Sequence, residues 1–141
     1  MANTFHVAVY VRDIPEAVEQ YRKMLGIEPA KVKHDYAKFE LQDPPVIFSL
    51  NVGGEPGQVS HLGIRYPGTG DVASEMVRVK QAEVPLLQQE GTTCCYAKAD
   101  KFWVRDADGM PWEMYTLLED AEAETASDAQ LRSFLDQKAA S

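Results

Sequence analysis

Five residues have the types and spacing to do chemistry. His6 and His61 each stand second in an apolar run, FHVAVYV and SHLGIRY, and Glu113 is set among Trp112, Met114 and Tyr115. Cys94 and Cys95, the only cysteines, are adjacent. Two imidazoles and one carboxylate match the 2-His-1-carboxylate set, which suits non-haem Fe(II) with positions open for oxygen and substrate. Two neighbouring thiols suit a soft centre such as trivalent arsenic, cadmium or zinc. Blander readings stand beside these: two half-buried strand histidines with a surface glutamate, and two small buried hydrophobes. His34, at a turn beside Asp35, reads as a solvated loop histidine.

The elements that must carry these residues repeat. Phe5–Val11 reads as a strand with Phe5, Val7, Val9 and Val11 on one face and His6, Ala8 and Tyr10 on the other. Asp13 is placed to cap a helix, with Glu16 three residues on; Ile14, Ala17, Val18, Tyr21, Met24 and Leu25 recur at helical spacing, and Gly26 stops it. Short strands are predicted near 28–33, 36–41 and 46–52. Gly53-Gly54-Glu55-Pro56-Gly57 is the best linker candidate.

The pattern then restarts. Ser60–Tyr66 forms a strand with Leu62, Ile64 and Tyr66 opposite His61, Gly63 and Arg65. Asp71 caps a second helix to about Glu83, with Ala73, Met76 and Val77 inward, and strands follow near 85–90, 101–106 and 112–118. The predicted fold is α+β: two tandem β-α-β-β-β modules, about 4–52 and 60–118, in a domain of residues 1–118.

The phase of this repeat is what raises the metal site above the blander reading. His6 and His61 fall at the same place in each module, each followed two residues later by a small one, Ala8 or Gly63. Pro45-Val46-Ile47 aligns with Pro111-Trp112-Glu113, so Ile47 is the apolar counterpart of Glu113. Asp106-Ala107-Asp108-Gly109 resembles a calcium loop but has Leu117 at the twelfth position, where a glutamate is needed. It reads instead as the hairpin turn that delivers Glu113. Tyr96–Asp100 reads as loop, which would let both thiols grip one atom, whereas a regular strand would point them to opposite faces. Lys98 or Lys101 could lower a thiol pKa.

Charge and composition narrow the partners. The net charge of −8 disfavours nucleic acid, which wants a basic face. Half of it lies in residues 119–141, an acidic tail with a net of −4, where Leu131, Phe134 and Leu135 after a Ser127 cap could form one short helix. No apolar run approaches the roughly 20 residues of a membrane span, and no export signal is seen, so a cytoplasmic location is expected. Adjacent Cα atoms lie about 3.8 Å apart, too close for an ordinary disulfide, so free thiols are expected. No phosphate loop, Gly-x-Ser-x-Gly or Cys-x-x-Cys motif is present.

Paired β-α-β-β-β modules with a histidine near each start, and an Asp-x-Asp-Gly turn leading to a strand glutamate, resemble the vicinal oxygen chelate superfamily of glyoxalase I, extradiol dioxygenases and bleomycin-resistance proteins. CCYAKADKFWV followed by DGMPWEMYTLLED is similar, more specifically, to the arsenic-inducible carbon–arsenic lyases and cadmium-induced proteins. The resemblance implies a cupped mixed sheet around one metal, with Fe(II) held by His6, His61 and Glu113 and arsenic held by Cys94 and Cys95. It implies an O2-dependent lyase that removes methyl or aryl groups from trivalent organoarsenicals, giving arsenite and, from a methyl group, formaldehyde. A mobile 91–100 loop would close the thiol clamp over the iron. Ile47 argues against the four-ligand chemistry of glyoxalase I. Many such relatives dimerise, so a homodimer is expected.

Two other readings remain open. The chain could be a stress protein that sequesters cadmium or similar ions without turnover. It could also be a different oxygenase or lyase of the same fold, for which the cysteine pair is incidental.

Overall fold

The computed structural model describes residues 3–94, 97–120 and Phe134. Over these the protein is mixed α+β, with eight strands and two helices in the order β1 (Thr4–Tyr10), α1 (Ile14–Leu25), β2 (Lys31–Lys33), β3 (Tyr36–Gln42), β4 (Pro45–Asn51), β5 (Val59–Arg65), α2 (Thr69–Gln81), β6 (Leu87–Cys94), β7 (Ala97–Arg105) and β8 (Pro111–Asp120). Two compact units divide the chain after Leu62, so that β5 gives its first four residues to one and its last three to the other. The glycine-rich stretch after β4 belongs to the first unit. There Gly57 N donates to Tyr10 O, and a side chain at Gly54 would overlap the Tyr10 ring.

In the first unit the strands neighbour one another in the order β2-β3-β4-β1-β5, with β1 parallel to β4. The helix α1 is fixed at both ends as expected: the Asp13 carboxylate accepts from Glu16 N at 2.8 Å, and Gly26 closes it at φ 71°. Ile14 and Ala17 pack on Ala37, Phe39 and Leu50. Alternation therefore turns Lys38, Glu40, Ile47 and Ser49 to the opposite face, which His6 and Ala8 share by register.

In the second unit the order is β5-β8-β7-β6. The core joins Tyr66, Val72, Val79 and Phe102, with Ile64, Met76, Val104 and Met114 against it. Here α2 differs from expectation. Its N-cap is Gly68, and Asp71 sits three residues inside, its carboxylate accepting from Gly68 N at 3.1 Å. The inward stripe is Val72, Met76 and Val79, while Ala73 and Val77 are exposed. The helix thus starts three residues earlier than an Asp71 cap would give, and of the expected inward residues Met76 alone belongs to the stripe.

The expectation of a loop is also overturned at residues 91–94 and 97–100, while Cys95 and Tyr96 lie outside the described residues. Residues up to Cys94 continue β6, and β7 begins at Ala97, with Cys94 paired to Ala97 and a register shift between Gln89 and Thr92. Polar, β-branched Thr92 and Thr93 suit an outer strand, and apolar alternation was the wrong guide there. Of the expected tail, Glu119 and Asp120 complete β8, and beyond them only Phe134 is described: it is helical, buried, and its ring centroid lies 4.6 Å from the Arg105 guanidinium carbon. Ser127, Leu131, Leu135 and the acidic residues from Glu122 onward lie outside the described residues.

Candidate metal and thiol site

His6 is carried by the centre of β1 and His61 by β5, and the first unit brings the two together. Their rings stack with centroids 5.4 Å apart and planes 25° from parallel. Each imidazole has a serine hydroxyl beside it: Ser49 Oγ lies 3.1 Å from His6 Nε2, and Ser60 Oγ lies 3.1 Å from His61 Nδ1. A hydroxyl accepting the Nδ1 proton of His61 places that ring's lone pair on Nε2, which is how an outer partner selects the nitrogen that ligates. Ile47, the register partner of His6, is 1% exposed and offers no donor.

Glu113 is carried by β8 of the second unit. The turn before it is built by Asp106, whose Oδ1 accepts from Asp108 N and Met110 N, both at 2.9 Å, while Gly109 takes φ 88°. Pro111 opens the strand, and two residues later Glu113 faces away from α2, opposite Trp103. Gly63 is required beside it. A Cβ at that position would overlap the Glu113 carbonyl oxygen, so only glycine lets β5 and β8 approach this closely. His61 and Gly63 share one face of β5, two residues apart.

The Glu113 carboxylate is buried and ion-paired. Lys101 Nζ lies 2.6 Å from its Oε2, with the lysine side chain 3% and the glutamate side chain 9% exposed. Lys101 also lies 5.8 Å from the Trp103 ring, whose Nε1 donates to Gln89 Oε1 at 3.1 Å. The first unit has a matching lysine. Lys38 precedes Glu40, the register partner of Ile47, by two residues, as Lys101 precedes Trp103, the partner of Glu113. Lys38 is 8% exposed and pairs with Glu40 at 3.2 Å.

Sequence reasoning missed Lys101, Lys38, Ser49 and Ser60 as partners. The matched phase of Lys38 and Lys101 shows only once the β3–β4 and β7–β8 registers are known. Cys94 ends β6, and nothing is described of its side chain; Cys95 lies outside the described residues. His34 is 85% exposed and 3.7 Å from Asp35, as a loop histidine should be.

Two imidazoles and a carboxylate, in buried or half-buried positions, are a donor set that fits a divalent metal ion. A family model described as the Glyoxalase/Bleomycin resistance protein/Dioxygenase superfamily matches residues 4–114. Over 115 residues the chain is 44% identical to "Trivalent organoarsenical cleaving enzyme" of Bacillus sp. (strain MD1), covering 78% of this chain and 70% of that protein. It is 38% identical over 117 residues to "Cadmium-induced protein CadI" of Mycobacterium tuberculosis (strain ATCC 25618 / H37Rv), covering 82% and 77%. Among solved structures it is similar to the Mn(II)-bound glyoxalase from Novosphingobium aromaticivorans, with TM-score 0.62, 18% identity, and 86% of this chain and 41% of that one covered. A catechol 2,3-dioxygenase gives TM-score 0.56 at 22% identity, covering 86% and 42%. At such identities these two structures speak to the fold alone.

Proposed function

The chain belongs to the Glyoxalase/Bleomycin resistance protein/Dioxygenase superfamily, and within it to the group that holds trivalent organoarsenical cleaving enzymes and cadmium-induced proteins; from that premise we propose that it is an Fe(II)- and O2-dependent lyase of the carbon–arsenic bond. Its substrates are trivalent methyl or aryl arsenicals, and its product is arsenite. The observation that carries the proposal is the stacked His6–His61 pair on β1 and β5, with Gly63 of the same strand making way for Glu113.

In this reading His6, His61 and Glu113 hold the metal, and Cys94 and Cys95 hold the arsenic. When bound, Fe(II) with three protein ligands supplies coordination positions for oxygen and substrate. The chain's own residues do the rest. Ser49 and Ser60 fix the imidazole rings, Lys101 holds one oxygen of Glu113, and Ile47 keeps the matched position free of a fourth donor. The vicinal thiols exchange onto trivalent arsenic and confine its carbon substituent, which is a positioning effect.

Anaerobic reconstitution with Fe(II), followed by a trivalent methylarsenical and oxygen, tests this. Arsenite and formaldehyde should appear together, need both iron and oxygen, and vanish in the C94S/C95S double variant. Turnover that survives the double substitution would transfer the chemistry to another substrate class.

A second reading is favoured by the cadmium-induced relatives. The thiols would then sequester Cd(II) stoichiometrically, with no oxygen consumed and no product released. We place either activity in a cytoplasmic homodimer, for which sedimentation of the purified chain is the direct check.

A further inference from the structure

Arg105, the last residue of β7, is not used by the site described above. It lies on the same face of the second unit as Glu113. Phe102, Val104 and Met114 face α2, so Lys101, Trp103 and Arg105 share the other face with Glu113. Arg105 pairs with Pro111, two residue pairs beyond Trp103–Glu113. Two residues along a strand span about 7 Å, so Arg105 stands roughly one substituted benzene ring from the level of Glu113.

Its guanidinium is in an unusual state. Nε and Nη1 are buried and have no hydrogen-bond partner among the described residues, whereas Lys101 and Arg78 of the same unit have carboxylates. The Phe134 ring lies 4.6 Å from its Cζ, within cation–π range. A guanidinium stays charged at any working pH, and buried N–H donors are almost always paired. A permanent cation with two unsatisfied donors, walled by one aromatic ring, has the chemistry of a receptor for an aromatic molecule that carries an oxyanion.

We propose that Arg105 binds an anionic ring substituent, of the carboxylate class, on the aryl group of the substrate, with Phe134 lining the ring's path. The substrate class rests on the proposed function; the anion site does not. It would make the protein select acidic aryl arsenicals over neutral ones.

The test uses zinc-loaded protein with the arginine side chains labelled with 15N. Benzoate should shift the Arg105 Nε–H resonance saturably, and benzamide, its neutral analogue, should not. R105M should abolish the benzoate response at the remaining resonances, and R105K should retain a weaker one. Equal responses to benzoate and benzamide, or none to either, would overturn the inference. In turnover, the ratio of KM for phenyl arsenical to KM for carboxyphenyl arsenical should fall at least tenfold in R105M. No turnover of either compound with the benzoate shift intact would remove the lyase reading and leave the anion site standing. Turnover without discrimination by charge would remove the anion site and leave the lyase reading.

Discussion

Lys101 Nζ lies 2.6 Å from Oε2 of Glu113, inside the second unit, with both side chains more than nine-tenths buried. The ammonium neutralises the buried carboxylate and orients one of its oxygens. In the proposed metal centre the other would be the donor, and Glu113 would bind through a single oxygen.

K101M keeps the length and apolar stem of the lysine and removes the charge. Loss of an outer partner of this kind costs about 10–100-fold in metal affinity. The competing effect is that removing a cation removes its repulsion of the incoming ion. Orientation should win, because the buried carboxylate loses the ammonium that fixes one of its oxygens. Calorimetric titration with Co(II) should show the weakened binding in K101M and partial recovery in K101R. Unchanged affinity in K101M would show that the pair serves only the apo fold.

Gly63 sets the spacing of β5 and β8 at Glu113, where a methyl group would meet the main-chain carbonyl. A backbone carbonyl in a ladder cannot rotate aside as a side chain can, so G63A must push the strands apart. Overpacking of this kind costs about 1–3 kcal/mol. Thermal unfolding should show G63A destabilised, and Co(II) affinity should fall by more than that of a control such as G70A, whose added Cβ meets nothing. Equal affinities in the two variants would release Glu113 from the proposed metal centre.

How far the sequence carried can be judged residue by residue. The placement of His6, His61 and Glu113 on strands was legible because alternation and repeat phase are local properties. So was α1, whose Asp13 cap and Gly26 stop lie in the residues themselves. The start of α2 was not, because Gly68 caps without a side chain and the carboxylate that bonds it comes from inside the helix. Strand residues at 91–94 and 97–100 were missed because they carry few apolar side chains, and pairing alone makes them strands. The Lys101–Glu113 bond spans twelve residues and needs the β7–β8 register, which no window along the chain reports.

Asp106 links that register to its turn. One of its oxygens accepts two main-chain N–H groups, from Asp108 and Met110, and Gly109 N returns to Asp106 O at 3.0 Å. D106A strands both donors at the hairpin end, where water partly replaces the carboxylate, so the expected loss is about 1–2 kcal/mol. D106N, which keeps one acceptor, should lose less. Urea unfolding of the three proteins measures this order, and amide exchange at Met110 should rise in D106A first. A D106A variant as stable as the parent would mean that Gly109 and the strand pairing alone set the turn.

Tyr66 gives the fold a dependence on alkaline pH. Burial, helped by the Glu75 carboxylate that opposes the phenolate and partly offset by Arg78, pushes its hydroxyl up to about 12. The unfolded chain ionises this group near 10, so the folded state favours the neutral phenol. That contribution is complete below pH 10 and is lost as pH rises through 12. A two-unit shift corresponds to roughly 2–3 kcal/mol when fully expressed. Y66F retains the ring against Val72, Val79 and Phe102 but has nothing to ionise. Urea midpoints taken from pH 8.5 to 11.5 should therefore fall more steeply in the parent than in Y66F, the curves separating only above pH 10. Parallel curves across that window would show that the Tyr66 hydroxyl reaches water in the folded protein.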